Sequence, residues 1–140
     1  MRTFRWLLIA PSAIVGWYIG VFTTIGIYQV NDWLCPAKYI VSGMCYAPWA
    51  SLVHKFAIAF GSIFAATLVV LLSTVIAPDH RRIVANIVYV MGLLGSGYWL
   101  IHGQWVPVVW AVLGGGITLW LIHRVLTLRS RGTPQKRGAP

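Results

Sequence analysis

Four stretches of this chain are long, apolar and free of charged side chains: residues 6–28, 56–77, 83–101 and 105–122. A helix rises about 1.5 Å per residue, so about 20 apolar residues cross a hydrocarbon core about 30 Å thick. The stretches therefore predict an all-α fold, an integral membrane four-helix bundle spanning residues 1–128. Its spans are 6–28, 56–77, 83–101 and 105–124, the last ending on His123-Arg124. The final segment, 129–140, is basic and rich in Gly and Pro, which predicts a disordered cytoplasmic tail.

Composition supports lipid as the main surroundings. Hydrophobic residues make up 59% of the chain and charged residues 9%, against about a quarter charged in ordinary soluble domains. Too few polar side chains exist to coat a soluble fold. A cleaved signal peptide would carry an apolar region of about 7–15 residues before a small-residue cleavage site. The first stretch is longer and leads into Gln29-Val30-Asn31-Asp32-Trp33, so a retained helix is expected.

The net charge of +9 raises nucleic acid as a partner, but the basic residues form no stripe. They sit at the ends of apolar runs, where cations set membrane orientation. Arg2, Arg5, Arg81, Arg82, Arg124, Arg129, Arg131, Lys136 and Arg137 fall on one side, and only Lys38 and Lys55 on the other. The positive-inside rule makes the richer side cytoplasmic and puts both termini there. Compactness is read as bacterial, which places the chain in the inner membrane.

The loop 29–55 then faces the periplasm and holds both cysteines, Cys35 and Cys45. Disulfides persist outside the cytoplasm, so a Cys35–Cys45 bridge is expected. Aromatic residues agree with the levels this implies. Tyr28, Trp33, Tyr46, Trp49, Tyr98, Trp99 and Trp105 fall near the outer boundary, Trp6 and Trp120 near the inner one.

Small residues mark where helices approach. Gly16 and Gly20 form a GxxxG pair, Gly61 and Ala65 share that spacing, and so do Gly92 and Ser96; Gly115 lies mid-span in the fourth stretch. The connections at 78–82 and 102–104 are short, so helices two, three and four are expected as sequential antiparallel hairpins. These small residues serve either packing within the chain or, at a face such as Gly16/Gly20, docking of a partner subunit.

Catalytic groups are hard to assemble. The spans hold hydroxyls and Asn86 but no ionisable residue of the kind that marks proton relays. Asp32 and Asp79, the two acidic residues, are expected on opposite faces, which leaves no Ser/His/acid set. His54 and His102 are expected at the outer boundary, His80 and His123 at the inner one. Four such histidines match the number a membrane di-haem cytochrome uses. Haem ligands there sit within helices, whereas His80 and His102 fall in turns, so solvated interfacial histidines are the preferred reading. His54 and His102 with Asp32 are the remaining metal candidates. A thiol-redox role would call for Cys-x-x-Cys or a helix N-terminus; a structural bridge suits Cys35 and Cys45 better.

The expectation is a non-enzymatic accessory subunit of a larger membrane assembly, without cofactor, contacting lipid and either another membrane protein or its own copies. A bacterial immunity-type protein against a toxin and a small oligomeric transporter or channel are the alternatives. No internal repeat supports an inverted-repeat transporter. The candidate partner or ligand surface is the outer group Tyr28, Asp32, Trp33, Tyr46, Trp49, His54, Lys55, Trp99, His102, Gln104 and Trp105.

Overall fold

The computed structural model describes residues 6–77 and 80–132, with side chains through Leu128. Its helices are α1 (Ile9–Trp33), α2 (Ala50–Ile76), α3 (Arg81–Ile101) and α4 (Trp105–Gly132). Between α1 and α2 lie a 3-10 turn, Ala37–Tyr39, and an antiparallel pair of short strands, β1 (Ile40–Val41) and β2 (Met44–Cys45). Each of the four helices is long and apolar enough to cross a membrane.

Small residues occupy the interior and large ones the outside. Ala57, Ser73 and Ala85 are wholly buried, while Leu7, Phe22, Leu52, Met91, Leu94 and Ile101 are exposed. Such a distribution would be ruinous in water, where large exposed apolar surfaces associate. In lipid it is expected, because tails solvate Leu and Phe as well as a protein core does.

Helix α2 is the centre of the bundle. It packs most extensively on α1, then on α4, and less on α3, which also touches α4. Along the α1–α2 seam Gly16 meets the backbone of Leu68 and Val69, Gly20 meets Ala65, and Gly61 meets Thr24. A Cβ on Gly20 would lie 2.7 Å from Ala65 Cα, a separation only a bare glycine permits. On the other flank of α2, Gly114 of α4 rests on Ile63, and the hydroxyls of Thr67 and Thr118 are 3.2 Å apart. This α2–α4 contact is one that a simple succession of helices two, three and four does not predict. Contact between α2 and α4 exceeds that of either with α3, because Gly114 lets α4 approach α2 closely.

Between α3 and α4 the Tyr89 ring covers Gly115, and its hydroxyl donates to the Val112 carbonyl at 3.3 Å. Nearer the α3 start, Asn86 Oδ1 and His123 Nε2 are 3.2 Å apart, and Arg82 donates to Thr127 Oγ1 at 3.1 Å. Hydroxyls within the spans mostly bond their own helix, as Ser12 does to Ile9, Thr24 to Gly20 and Thr74 to Val70. The buried Ser73 Oγ has no partner.

Several boundaries differ from those read in the sequence. α1 continues beyond Tyr28 to Trp33, and α2 begins at Ala50 rather than 56. The connecting segment is therefore 34–49, not 29–55. Polar residues such as Gln29 and His54 end an apolar run without ending a helix, since they keep fair helix propensity. α4 likewise runs past Arg124 to Gly132, so the tail expected from 129 starts as helix; 133–140 lie outside the described residues. Arg2, Arg5, Lys136 and Arg137 of the charge argument also lie outside them, as does Asp79.

Candidate functional site

The chemistry-bearing side chains fall at the two ends of the bundle. One end carries the α1–α2 connection and the α3–α4 turn. The other carries the arginines.

At the first end the connection is stapled. Cys35 and Cys45 are joined, with Cα atoms 5.9 Å apart. β1 and β2 pair in the register Ile40↔Cys45 and Val41↔Met44, which leaves Ser42-Gly43 as a two-residue turn. Both turn residues have positive φ, 52° and 81°. This is the twist that a tight hairpin requires and that glycine adopts without penalty. Beneath the turn, Cys35, Cys45, Ala47 and Ala50 form a small buried cluster with Tyr39 packed on it. Asp32 Oδ1 accepts the Cys45 amide at 3.2 Å, which ties β2 to the last turn of α1.

The predicted outer residues divide between two neighbourhoods. Tyr28 and His54 stack at 4.3 Å between ring centroids. His54 Nδ1 lies 3.3 Å from the Ala50 carbonyl. Trp49 meets the Tyr39 ring edge-on at 6.0 Å. Tyr46 is exposed but its amide donates to Tyr39 at 2.9 Å. Lys55 is exposed, and Trp33 projects outward at 86% exposure. Trp99, His102, Gln104 and Trp105 are exposed at the α3–α4 turn, where Gln104 N–H donates to Trp99 O at 3.0 Å. His102 Nδ1 lies 2.9 Å from Tyr98 O, with its ring on the Tyr98 ring. Among the described residues, no hydrogen bond or ring contact joins this turn to the 28–55 group.

The histidine geometry bears on metal. His54 and His102 each have one ring nitrogen beside the carbonyl four residues earlier. Among the described residues no three of His, Cys, Asp and Glu come together around an ion-sized site. What the first end offers is a rigid, disulfide-closed hairpin that displays Val41, Met44, Tyr46 and Leu34 outward.

Three comparisons, with family models, with characterised proteins and with solved structures, give no match to the chain. Its own geometry therefore carries the functional reading.

The helix-packing predictions separate into used and unused positions. Gly16, Gly20 and Gly61 are consumed in the α1–α2 seam, and Gly115 lies beneath Tyr89. Of the two roles expected for Gly16/Gly20, packing within the chain is the one this geometry displays, with α2 on that face. Gly92 is different: a Cβ there would meet nothing within 4 Å, and the same holds for Gly95 and Gly97. Ser96 bonds only back to Leu93 O, at 2.7 Å.

Sequence reasoning missed Asn31, which is 8% exposed with its Nδ2 unpartnered. Helical spacing held the signal, since position 31 continues the face of Gly16, Gly20 and Thr24. It also missed the hairpin, although Ser42-Gly43 between short apolar pairs is a turn signal.

Proposed function

We propose that the chain is a non-enzymatic accessory subunit of a membrane assembly, crossing the bacterial inner membrane four times with both termini cytoplasmic. On this reading the stapled hairpin lies outside and the arginine end inside. The opposed order of side-chain contacts supports antiparallel neighbours: Gly16, Gly20 and Tyr28 meet Leu68, Ala65 and His54, and Arg82, Asn86 and Tyr89 meet Thr127, His123 and Val112.

The observation that carries the subunit reading is the open small-residue face of α3. Gly16, Gly20, Gly61, Gly114 and Gly115 each meet a neighbouring helix, whereas Gly92, Gly95 and Gly97 of α3, and Gly26 alone on α1, face open space. In lipid, such a face is where another helix can approach closely enough for dispersion and weak hydrogen bonds to hold it. Purification in mild detergent followed by native mass analysis tests this. The expected result is a second protein, or further copies of this chain, bound to the wild type and lost from Gly92→Val. A monodisperse monomer with no companion overturns it.

The hairpin favours one second reading, an immunity-type protein that blocks a toxin outside the membrane. Its rigid display of Val41, Met44 and Tyr46 suits recognition of an incoming molecule. Swapping residues 31–50 would abolish protection under that reading and leave assembly through α3 intact.

A further inference from the structure

The arginine end gathers positive charge, and among the described residues no carboxylate lies beside it; Asp79 is outside them. Arg81 donates from Nε to the Ala77 carbonyl at 3.4 Å, and Arg82 to the Thr127 hydroxyl. Arg124 lies over the Trp120 ring, 5.1 Å from its centroid. His123 faces the neutral Asn86 amide. Each of these side chains thus has a neutral partner, and among the described residues no carboxylate pairs with any of them. Asp32, the one acidic residue described, is at the other end of the bundle.

Two cross-links form a corner where the charged ends of α3 and α4 meet. Arg82–Thr127 and Asn86–His123 tie the opening turns of α3 to the late turns of α4. Arg81 is adjacent to Arg82, and Arg124 to His123. The corner also opposes the backbone field. Arg81 and Arg82 occupy the first turn of α3, no acidic residue accompanies them there, and His80 provides no side-chain cap. Cations are disfavoured at a helix N-terminus, where the macrodipole is positive. An anion held there relieves the repulsion and accepts charge-assisted hydrogen bonds from guanidinium groups.

We propose that this corner binds the phosphate of one anionic phospholipid. The α3 surface leading away from it decides for a lipid over a free phosphate. Ile83, Ile87 and Val90 are all exposed, and their spacing puts them on one face running into the apolar span. That face is a track for an acyl chain whose headgroup sits at the arginines. Trp120 beside Arg124 is the kind of residue found at headgroup level. The proposal needs only that the helices span a bilayer; it is independent of the accessory-subunit reading.

The test uses the full chain in nanodiscs of phosphatidylcholine, titrated with phosphatidylglycerol, with retained lipid counted by native mass spectrometry. One phosphatidylglycerol per chain is expected to survive detergent extraction. At about fivefold per charge near a membrane surface, Arg124→Gln weakens retention about fivefold and Arg81→Gln/Arg82→Gln about 25-fold. Thr127→Ala removes the interhelical bond but no charge, and retention persists; it thereby separates lost charge from lost packing. Lys136→Gln/Arg137→Gln in the tail leaves retention unchanged. Equal weakening by the tail pair overturns the site in favour of diffuse attraction. Equal retention of phosphatidylcholine, or displacement of the lipid by glycerol phosphate at matched concentration, also overturns it. Should the double arginine variant fail to fold, Arg124→Gln and the tail pair still decide.

Discussion

Glycine positions that look alike in the sequence do unlike work. Gly20 and Gly92 each stand four residues from another small residue, but Gly20 lies on Ala65 and Gly92 on nothing within the chain. Gly20→Val is therefore expected to lower the thermal midpoint in detergent, at a cost of about 1–3 kcal/mol from overpacking. Gly92→Val should leave that midpoint nearly unchanged. Equal losses in the two variants would contradict the seam assignment. Asp32 offers a second contrast. Asp32→Asn weakens the bond to the Cys45 amide by removing its charge, and about 1 kcal/mol should be lost; Trp33→Ala, next along the chain but projecting outward, should cost little in the monomer. Spacing alone revealed that these glycines matter, but not which face each occupies. That depends on the rotation of one helix against another, and a GxxxG pair carries no information about it.

Among the elements, the hairpin is the one whose stability rests on a covalent bond. Two residues per strand cannot hold a β-ribbon alone, since isolated hairpins are marginal even when longer. The Cys35–Cys45 link closes the loop around the turn, and Asp32 anchors it to α1. Replacing both cysteines by serine should cost about 2–3 kcal/mol in the chain-entropy model, read as a lower midpoint that reductant no longer shifts. The same double change should leave the α1–α2 seam intact, because Gly16, Gly20 and Gly61 lie well along the helices. The bridge was legible from two cysteines on the arginine-poor side of the spans. The hairpin was not, because its four strand residues are too few to show an alternating pattern. The helix ends were misread for a related reason. Apolar runs mark where lipid is expected, and a helix continues past that limit where its backbone bonds still form, as from Leu34 N–H to Val30 O.

At the level of the whole molecule, charge-free length sufficed to identify four helices of spanning dimensions, since nothing but burial or lipid tolerates such runs. Their direction across the bilayer remains a proposal with a direct measurement. A cysteine at Gln104 should react with a membrane-impermeant maleimide in intact cells. One at His80 should react only after the membrane is opened. The reverse pattern would invert the orientation while leaving the bundle as described. The three-sided role of α2 was not readable, because contact between helices two and four depends on Gly114 finding Ile63 across a long stretch of intervening chain.

That central position has a consequence for biogenesis. Chain growth delivers α1, the hairpin and α2 first, so the glycine seam can close early between sequence neighbours. The Ile63–Thr67 flank of α2 has no such early partner. It gains its α4 partner only after α3 has been made, because α4 follows α3 in the chain. A nascent chain that stops before residue 105 therefore lacks the helix that covers Ile63 and Thr67.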